Sequence, residues 1–234
     1  ASGSVTLSVN PLNDAPVAQS KSLTVAEESL GTNIGLTAPT DVDGNPLTIT
    51  VSGLPTLGRV TLANGLSVRN GQVLSSSELV GLKYDGPLDY NGTDGVGSFT
   101  YTVNDNQGQS NSQVTGTVSF GVTPVNDAPV AQSKSLTVAE GSLNTQLQLS
   151  APTDSDTLLT ALSVQVVGLP AVGQITLENG SLVTNGQSVT LAKLQGLEYD
   201  GPQEYQDTTT VGSFSYVVSD GAGGVASGSV TLTV

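Results

Sequence analysis

Apolar and polar residues alternate with a period of two along several stretches of the chain. Residues 47–51 and 99–103 carry an apolar side chain at every second position with Thr between, and residues 20–25 alternate in a similar way. Such alternation is typical of strands that bury one face and expose the other. The pattern predicts half-buried antiparallel strands, and short strands at this spacing favour an all-β sandwich.

One sequence occurs twice in the chain. The residues from 13 to 27 return residue for residue at 126 to 140, and Tyr84-Asp85-Gly86-Pro87 recurs as Tyr199-Asp200-Gly201-Pro202. A tandem duplication of this kind indicates that one folding unit is present in two copies. The length of each copy, about 110 residues, is that of an ordinary domain.

The repeat also predicts the domain boundaries. We expect one sandwich domain at residues 11–123 and a second at residues 124–234. Residues 4–9 resemble residues 229–234, which close the second copy. We therefore interpret residues 1–10 as the terminal strand of a preceding unit.

Turn-forming dipeptides separate the predicted strands. Asn and Gly tolerate positive φ angles, so each Asn-Gly pair predicts a type I′ hairpin turn. These pairs are Asn64-Gly65, Asn70-Gly71, Asn179-Gly180 and Asn185-Gly186. One helical turn is predicted over residues 75–80, where Ser75 can cap the turn and Glu78 can bond back to it. Thr190 takes the cap position in the second copy.

The composition removes most classes of enzyme. The chain has no His and no Cys, which excludes Ser-His and Cys-His nucleophiles and the usual zinc ligands. Its 20 acidic and 6 basic residues give a formal net charge of -14. Nucleic acids and anionic membranes attract clustered Lys and Arg, so we expect neither as a partner, and we expect no membrane insertion and no enzyme. A hard cation is the natural partner of such a chain.

The acidic residues form two groups when the copies are aligned. Seven positions are acidic in both copies, whereas the other acids face Gly, Lys, Thr or Ala. The recurring pairs are Asp14 with Asp127, Glu27 with Glu140, Asp41 with Asp154, Asp43 with Asp156, Asp85 with Asp200, Asp89 with Glu204, and Asp105 with Asp220. Apart from Glu27 and Glu140, these residues fall in predicted loops or linkers. Ordinary surface charge has diverged between the copies and this set has not.

Several recurring acids lie close together in the sequence. One residue separates Asp41 from Asp43, and Asp14 and Asp105 each stand beside Asn. Two carboxylates at i and i+2 on a curved loop can face one point, where they repel unless a cation binds. Ca²⁺ accepts carboxylate, amide and backbone oxygens without strict geometry, so calcium is the predicted ion. The alternative is that these Asp and Asn residues only form turns through Asx bonding.

These motifs carry a family resemblance. Each copy begins with Asn-Asp-Ala-Pro-Val-Ala, has two Asp separated by one residue, and later reads Ser-Phe-Thr-Tyr-Thr-Val-Asn-Asp (from Ser98) or Ser-Phe-Ser-Tyr-Val-Val-Ser-Asp (from Ser213). The combination resembles the cadherin-like and Ig-like extender repeats of bacterial RTX adhesins exported by type I secretion. The resemblance implies tandem Ig-like or cadherin-like antiparallel β-sandwich domains that calcium makes rigid. Such domains hold a distal ligand-binding region away from the cell.

The resemblance also implies the calcium ligands. At the junction of the two domains they are Asn126, Asp127, Asp154, Asp156 and Asp220, together with Glu27 and either Asp85 or Asp89. At the upstream junction they are Asn13, Asp14, Asp41, Asp43 and Asp105, and Glu140 is the second-copy equivalent of Glu27. The linker lacks the fuller acidic string of cadherins, which implies fewer ions per junction. The expected partners are neighbouring repeats, the expected location is the extracellular bacterial surface, and any glycan, host or biofilm ligand is bound by other domains.

Two other functions remain open on the sequence alone. A carbohydrate- or protein-binding module would offer tyrosines as stacking faces, namely Tyr84, Tyr90, Tyr101, Tyr199, Tyr205 and Tyr216. The alternation around Tyr101 and Tyr216 instead favours inward packing or a tyrosine-corner hydrogen bond. A glycosidase would use Asp85 and Asp89 as its carboxylate pair, but a duplicated active site without an aromatic groove is unusual.

Overall fold

The alternating stretches form β-strands in both copies. The computed structural model describes residues 2–90, 92, 95–205 and 210–234. The chain divides into unit 1, Ala1–Val125, and unit 2, Asn126–Val234. Residues 2–12 are exposed and form no strand, so the interpretation of residues 1–10 as the end of a preceding unit stays a prediction.

The described residues of unit 1 form β-strands and one helical turn. Its elements are β1 (Lys21–Ala26), β2 (Thr32–Asn33), β3 (Thr48–Gly53), β4 (Arg59–Thr61), β5 (Val73–Leu74), α1 (Ser76–Val80), β6 (Lys83–Asp85), β7 (Ser98–Asn104) and β8 (Gln113–Thr123).

Unit 2 repeats the same order of elements. They are β9 (Lys134–Thr137), β10 (Thr145–Gln146), β11 (Ser163–Gly168), β12 (Gln174–Thr176), β13 (Ser188–Val189), α2 (Leu191–Gln195), β14 (Glu198–Asp200), β15 (Thr210–Ser219) and β16 (Val225–Thr233).

A five-stranded and a three-stranded sheet enclose one hydrophobic core in each unit. The strand orders are β1-β8-β7-β3-β5 and β2-β6-β4 in unit 1, and β9-β16-β15-β11-β13 and β10-β14-β12 in unit 2. The predicted all-β tandem sandwich is confirmed.

The first and last strands of each unit run parallel. β1 pairs with β8 from Lys21 opposite Val118 to Ala26 opposite Thr123, and β9 pairs with β16 in the same sense. The prediction of an antiparallel strand at residues 20–25 is therefore wrong, because alternation fixes the buried face of a strand and not the direction of its partner. As a consequence, the chain reaches each unit at one end of the sheet and leaves at the other.

We call these two ends the poles of a unit. The N-terminal pole of unit 1 comprises residues 13–17, 41–47 and 105–112, and its C-terminal pole comprises residues 27–31, 85–90 and 123–125. The N-terminal pole of unit 2 comprises residues 126–130, 154–161 and 220–224, and its C-terminal pole comprises residues 140–144, 200–205 and 233–234.

The alternating positions fill the core as predicted. Phe99, Tyr101 and Val103 on β7 are 0% exposed, and Ile49 and Val51 on β3 are 1% exposed. Burying apolar area of this kind is the main stabilising contribution to such a sandwich. The Tyr101 hydroxyl donates to the Gln19 carbonyl at 2.8 Å, which satisfies the one polar group of the ring. Inward packing of this tyrosine is confirmed, and Tyr216 repeats it in unit 2 through Gln132.

The structure confirms the predicted helix caps and corrects the predicted type of the Asn-Gly turns. Ser75 caps α1 with the predicted capping box to Glu78, and Thr190 caps α2. The Asn-Gly turns are present but are not of type I′, because only the Gly has a positive φ, for example 84° at Gly65. The Asn side chain instead forms a hydrogen bond: Oδ1 of Asn64 accepts the backbone N–H of Leu66 at 3.1 Å. This bond stabilises the turn while Asn64 keeps a negative φ.

Candidate metal centre

Three segments meet at the N-terminal pole of each unit. β3 and β7 pair antiparallel with Thr48 opposite Asn104, so the loop before β3 lies beside the loop after β7. A bridge between Val17 and Thr40 brings the incoming chain alongside them. The equivalent pairs in unit 2 are Ser163 with Ser219 and Val130 with Thr153. Topology alone therefore brings together acids from three distant parts of the sequence.

In unit 2 these acids form a hydrogen-bonded network. The backbone N–H of Asp127 donates to Oδ2 of Asp156 at 2.7 Å, and the backbone N–H of Asp156 donates to Oδ1 of Asp154 at 2.9 Å. The side-chain amide of Asn126 donates to Oδ2 of Asp220 at 2.6 Å. The two residues that begin the unit are thus attached to both loops of its body.

Unit 1 builds the same network. The backbone N–H of Asp14 donates to Oδ2 of Asp43 at 2.8 Å, and that of Asp43 donates to Oδ1 of Asp41 at 2.9 Å. The side-chain amide of Asn13 donates to Oδ2 of Asp105 at 2.8 Å. The loops differ in length and sequence between the units, so the recurrence of these three contacts marks a specific arrangement of the carboxylates.

The network leaves carboxylate oxygens buried without a hydrogen bond. They are Oδ2 of Asp41 in unit 1, and Oδ2 of Asp154 and Oδ1 of Asp156 in unit 2. Carboxylate oxygens of Asp127 and Asp156 also lie within 4.8 Å of each other. Buried anionic oxygens are costly when unpaired, and neighbouring ones repel. A bound cation would pair with the unpaired oxygens and would remove the repulsion between neighbouring carboxylates. Carboxylate and amide oxygens are the ligands that Ca²⁺ prefers.

Hydrogen bonds keep one acid of each network ionised. The amide of Asn126 lowers the pKa of Asp220, against the opposing effect of burial and with further help from the backbone N–H groups of residues 222–224. Burial would raise the pKa of Asp105, but bonds from Asn13 and the N–H of Gln107 outweigh it, so this pKa also falls. Both carboxylates are therefore anionic at neutral pH, as a metal ligand must be.

Glu27 lies at the C-terminal pole of unit 1, opposite the network of its own unit. It is 4% exposed, and its two carboxylate oxygens accept the backbone N–H groups of Tyr90 and Val125. Its equivalent, Glu140, is exposed and accepts the N–H of Tyr205 at 3.2 Å. The structure thus separates these two glutamates from the Asp-x-Asp loops of their own units and gives them backbone partners.

Asp89 also lies at the C-terminal pole of unit 1. One of its carboxylate oxygens is within 4.8 Å of a carboxylate oxygen of Glu28. Both residues adopt the left-handed backbone conformation, with φ of 50° and 57°, which is unfavourable for a residue other than Gly. Glu28 was missed by the comparison of copies because unit 2 carries Gly141 at this position, and nothing in the repeat could have identified it.

Asp85 differs from the other sequence-predicted ligands. It forms an ion pair with Arg59, with Nη2 and Oδ2 2.7 Å apart, and its Oδ1 accepts the N–H of Gly31 at 2.7 Å. Burial raises the pKa of Asp85, but the bonds from Gly31 and Arg59 and the nearby charges lower it overall. A lowered pKa is the opposite of what a glycosidase general acid requires. These contacts favour a structural role.

The ion pair predicts a pH-dependent effect of Arg59→Gln. The pKa of Asp85 in the folded state lies below its ordinary value of 3.8. The ion pair therefore stabilises the fold at pH values above 3.8, and this stabilisation is lost as the pH falls through the folded-state pKa. Arg59 is 58% exposed, so the variant should lose only about 0.5 kcal/mol at neutral pH, and the loss should disappear in acid. Urea unfolding of the variant and the unmodified chain, at neutral pH and in acid, measures this difference in stability. Arg69→Gln is the control and should change neither, and an equal loss at both pH values would contradict the prediction.

Sequence reasoning missed three neighbours of the N-terminal networks. The side-chain amide of Asn45 donates to Oδ1 of Asn13 at 3.4 Å, and that of Gln107 donates to Oδ1 of Asn45 at 3.2 Å. In unit 2, Gly224 leaves room for the carboxylate, because a Cβ there would lie 2.2 Å from Oδ2 of Asp220. The Gly-rich loop 221–224 was the available signal for Gly224.

The tyrosines offer almost no stacking surface. Tyr84, Tyr101, Tyr199 and Tyr216 are 0% exposed, and Tyr90 is 9% exposed. Tyr205 is half-buried. The interpretation of this set as sugar-stacking faces is therefore wrong for the five buried rings, because their apolar faces complete the two cores.

Several solved structures are similar to the chain at low sequence identity. The chain is 16% identical to human CDH23 EC21-23, with a TM-score of 0.41, over 95% of this chain and 69% of that one. It is 13% identical to the human desmocollin-1 ectodomain, with a TM-score of 0.46, over 94% and 40%. It is 20% identical to the endo-fucoidan hydrolase MfFcnA4 of glycoside hydrolase family 107, with a TM-score of 0.34, over 97% and 29%. A comparison with curated proteins found no match.

The family comparison covers both copies. The family described as bacterial Ig domain matches residues 13–120 and again residues 126–233. Within the described residues, neither helix is long and apolar enough to cross a membrane. The two matches together span most of the chain, and it therefore belongs to the bacterial Ig domain family, as a tandem pair of such domains.

Proposed function

We propose that the chain is a calcium-rigidified extender of a large bacterial surface adhesin of the RTX type. In this role it acts outside the cell and holds a distal ligand-binding region away from the surface. The observation that supports the proposal is the duplicated network at the N-terminal poles, where buried carboxylate oxygens have no hydrogen-bond partner. A module that only forms turns has no use for such oxygens, because Asn or Ser would make the same turns without charge.

The proposed ligands are the residues that each network brings together. In unit 1 they are Asn13, Asp14, Asp41, Asp43 and Asp105, and in unit 2 they are Asn126, Asp127, Asp154, Asp156 and Asp220. Bound Ca²⁺ would replace carboxylate repulsion with shared ligation. We propose supporting roles at the C-terminal poles for Asp89, Glu27 and Glu140, and a structural role for Asp85.

The linker residues support rigidity. Val125 donates its N–H to Glu27 of unit 1, and the next two residues bond to Asp220 and Asp156 of unit 2. Prolines flank this segment at positions 124 and 129 and restrict its φ angles. Calcium at Asp127 would replace the charge repulsion at this residue with shared ligation, so the stiffness of the linker would depend on the ion.

The topology supports a spacer role. Because the chain reaches each unit at one pole and leaves at the other, a unit of this topology can contribute the length of its sheet to a spacer. The last strand of unit 1 has 11 residues, which at the usual rise per residue corresponds to about 35 Å. A domain whose termini met at one end would add little.

Direct titration tests the ion. We expect calcium to bind to the chain, measured by isothermal titration calorimetry, and Asp156→Asn and Asp43→Asn each to weaken binding at their own unit at least tenfold, since each removes one anionic ligand. Glu178→Gln is the control, because it removes the same charge from an exposed position outside the networks. Equal affinities for all four proteins would contradict the assignment of these ligands.

Small-angle scattering tests the extender role separately. The maximum dimension of the chain should be larger, and its distribution narrower, in calcium than in chelator. Asp127→Asn should behave in calcium as the unmodified chain does in chelator. Calcium binding without any change in scattering would retain the metal sites and reject the extender role.

A further inference from the structure

One exposed turn occurs in both units with a single difference in its sequence. It reads Asn64-Gly65-Leu66 in unit 1 and Asn179-Gly180-Ser181 in unit 2. In each unit Oδ1 of the Asn accepts the backbone N–H two residues later at 3.1 Å. Of these two turns, the one in unit 2 has a hydroxyl at the third position, and Asn-x-Ser is the acceptor sequence for N-linked sugars.

The turn of unit 2 presents its polar groups to solvent. Asn179, Gly180 and Ser181 are all exposed. Because Oδ1 of Asn179 bonds to the N–H of Ser181, Nδ2, which diverges from Oδ1 in the planar amide, is directed away from that contact. Within the described part of the chain, neither Nδ2 nor the Ser181 hydroxyl has a hydrogen-bond partner. A sugar attached to Nδ2 therefore breaks no contact of the fold.

The turn also protects the amide that such a reaction needs. An Asn-Gly pair loses this amide when the Gly nitrogen attacks Cγ of the Asn. Here the N–H of Gly180 donates to the Leu177 carbonyl at 2.8 Å, and the N–H of Leu177 donates to the Ser181 carbonyl at 2.9 Å. These bonds hold the attacking nitrogen in the turn, so Asn179 keeps its Nδ2.

A small cavity adjoins the turn. Its volume is about 230 Å³, and it is lined by Leu177, Glu178, Asn179, Ala192, Lys193 and Gly196. Ordinary ligand sites have roughly 300–1,000 Å³, so this cavity suits one sugar ring and not a longer chain. Its lining combines apolar and charged side chains, which matches a hexose, whose ring has both C–H faces and hydroxyls.

We propose that Asn179 is the acceptor for a single N-linked hexose from a nucleotide-activated sugar, and that the attached ring covers the cavity. In the reaction, catalysed by a glycosyltransferase, Nδ2 bonds to the anomeric carbon and gives up one proton. The bond from that carbon to the diphosphate breaks, and the nucleoside diphosphate leaves with the electron pair. Ser181 supplies the hydroxyl that the transferase recognises. None of these residues belongs to the calcium networks, so the outcome is independent of the proposed extender role.

The test incubates the folded chain with UDP-glucose and a purified soluble N-glycosyltransferase that acts on Asn-x-Ser, and maps the product by peptide mass spectrometry. We expect a hexose on Asn179 and none on Asn64. Ser181→Leu, which copies the turn of unit 1, should lose the hexose, whereas Ser181→Thr should keep it. Leu66→Ser should gain a hexose on Asn64. Residues 66 and 181 are exposed, so these variants keep the fold.

Two controls make the result specific to this turn. A synthetic peptide of residues 175–185 shows that the transferase accepts the sequence. Peptide mapping separates Asn179 from Asn91-Gly92-Thr93, a second acceptor sequence whose Asn lies outside the described residues. The proposal is overturned if the peptide is modified and Asn179 of the folded chain is not, if Ser181→Leu keeps the hexose, or if Leu66→Ser leaves Asn64 unmodified.

NMR tests the contact of the sugar with the cavity. In the modified chain the amide signals of Ala192 and Gly196 should shift, because both residues line the cavity. The signals of Ser77 and Gly81, which occupy the equivalent positions of unit 1, should not. A hexose on Asn179 without these shifts would support the acceptor and reject the seating of the ring in the cavity.

Discussion

Removing calcium should lower the thermal unfolding midpoint of both units by about 10 °C. A ligand present at 100 times its dissociation constant stabilises the folded state by about 2.7 kcal/mol, and for domains of this size that corresponds to a shift of this order. The physical reason is that chelation leaves the oxygens of Asp41, Asp154 and Asp156 buried and anionic without a partner. Calorimetry on one sample in excess Ca²⁺ and then in chelator measures the shift.

Variants localise this effect. Asp156→Asn should reduce the calcium-dependent shift of unit 2 and leave that of unit 1, whereas Asp43→Asn should do the reverse. Glu178→Gln changes the net charge equally and should preserve both shifts. A midpoint that is the same in calcium and in chelator would reject calcium as a stabiliser and leave these residues as turn formers.

Replacing Gly116 by Ala should destabilise unit 1 by about 3 kcal/mol. Gly116 lies on β8 beneath the Tyr101 ring, and a Cβ there would lie 2.3 Å from Cζ and 2.5 Å from Cε1. The ring cannot withdraw, because it is fully buried and its hydroxyl is bonded to Gln19. Urea unfolding should show the loss, and Gly228→Ala should cause the same loss in unit 2, where the ring of Tyr216 is equally close.

The control substitution separates overpacking from the intrinsic effect of an added methyl group. A Cβ at Gly95 would meet nothing within 4 Å, so Gly95→Ala should change stability little. In the background of Tyr101→Leu, which removes the clashing atoms, Gly116→Ala should cost much less than in the unmodified chain. If Gly116→Ala is as mild as Gly95→Ala, the close packing of the ring on β8 is not rigid.

The sequence predicted those parts of the fold that local chemistry decides. Alternation identified the buried faces of β3 and β7, and the serine-glutamate spacing identified the capped helix at Ser75. It did not predict the parallel pairing of β1 with β8, because strand direction depends on distant partners. It also misassigned the Asn-Gly turns, since the Asn side chain can bond to the backbone instead of adopting positive φ.

The candidate site shows a similar division. Comparing the copies selected the acids that the structure gathers at the N-terminal poles, because a requirement shared by both copies leaves a shared pattern. The same comparison selected Asp85, whose partner Arg59 is replaced by Gln174 in unit 2. Recurrence shows that a carboxylate is needed in both units but not which contact needs it. The hydrogen bond from the Val125 N–H to the Glu27 carboxylate could not be predicted from the sequence, because a backbone donor has no characteristic side chain.

The parallel pairing of the first and last strands determines how a unit would respond to mechanical load. The incoming chain is attached to the start of β1 and the outgoing chain to the end of β8. Tension between them would slide the two strands lengthwise, so the backbone bonds from Lys21 to Ala26 would share the force in shear and could not open one by one. Because forced unfolding is governed by the barrier to this first rupture, a tether built from such units would resist pulling better than one whose terminal strands unzip.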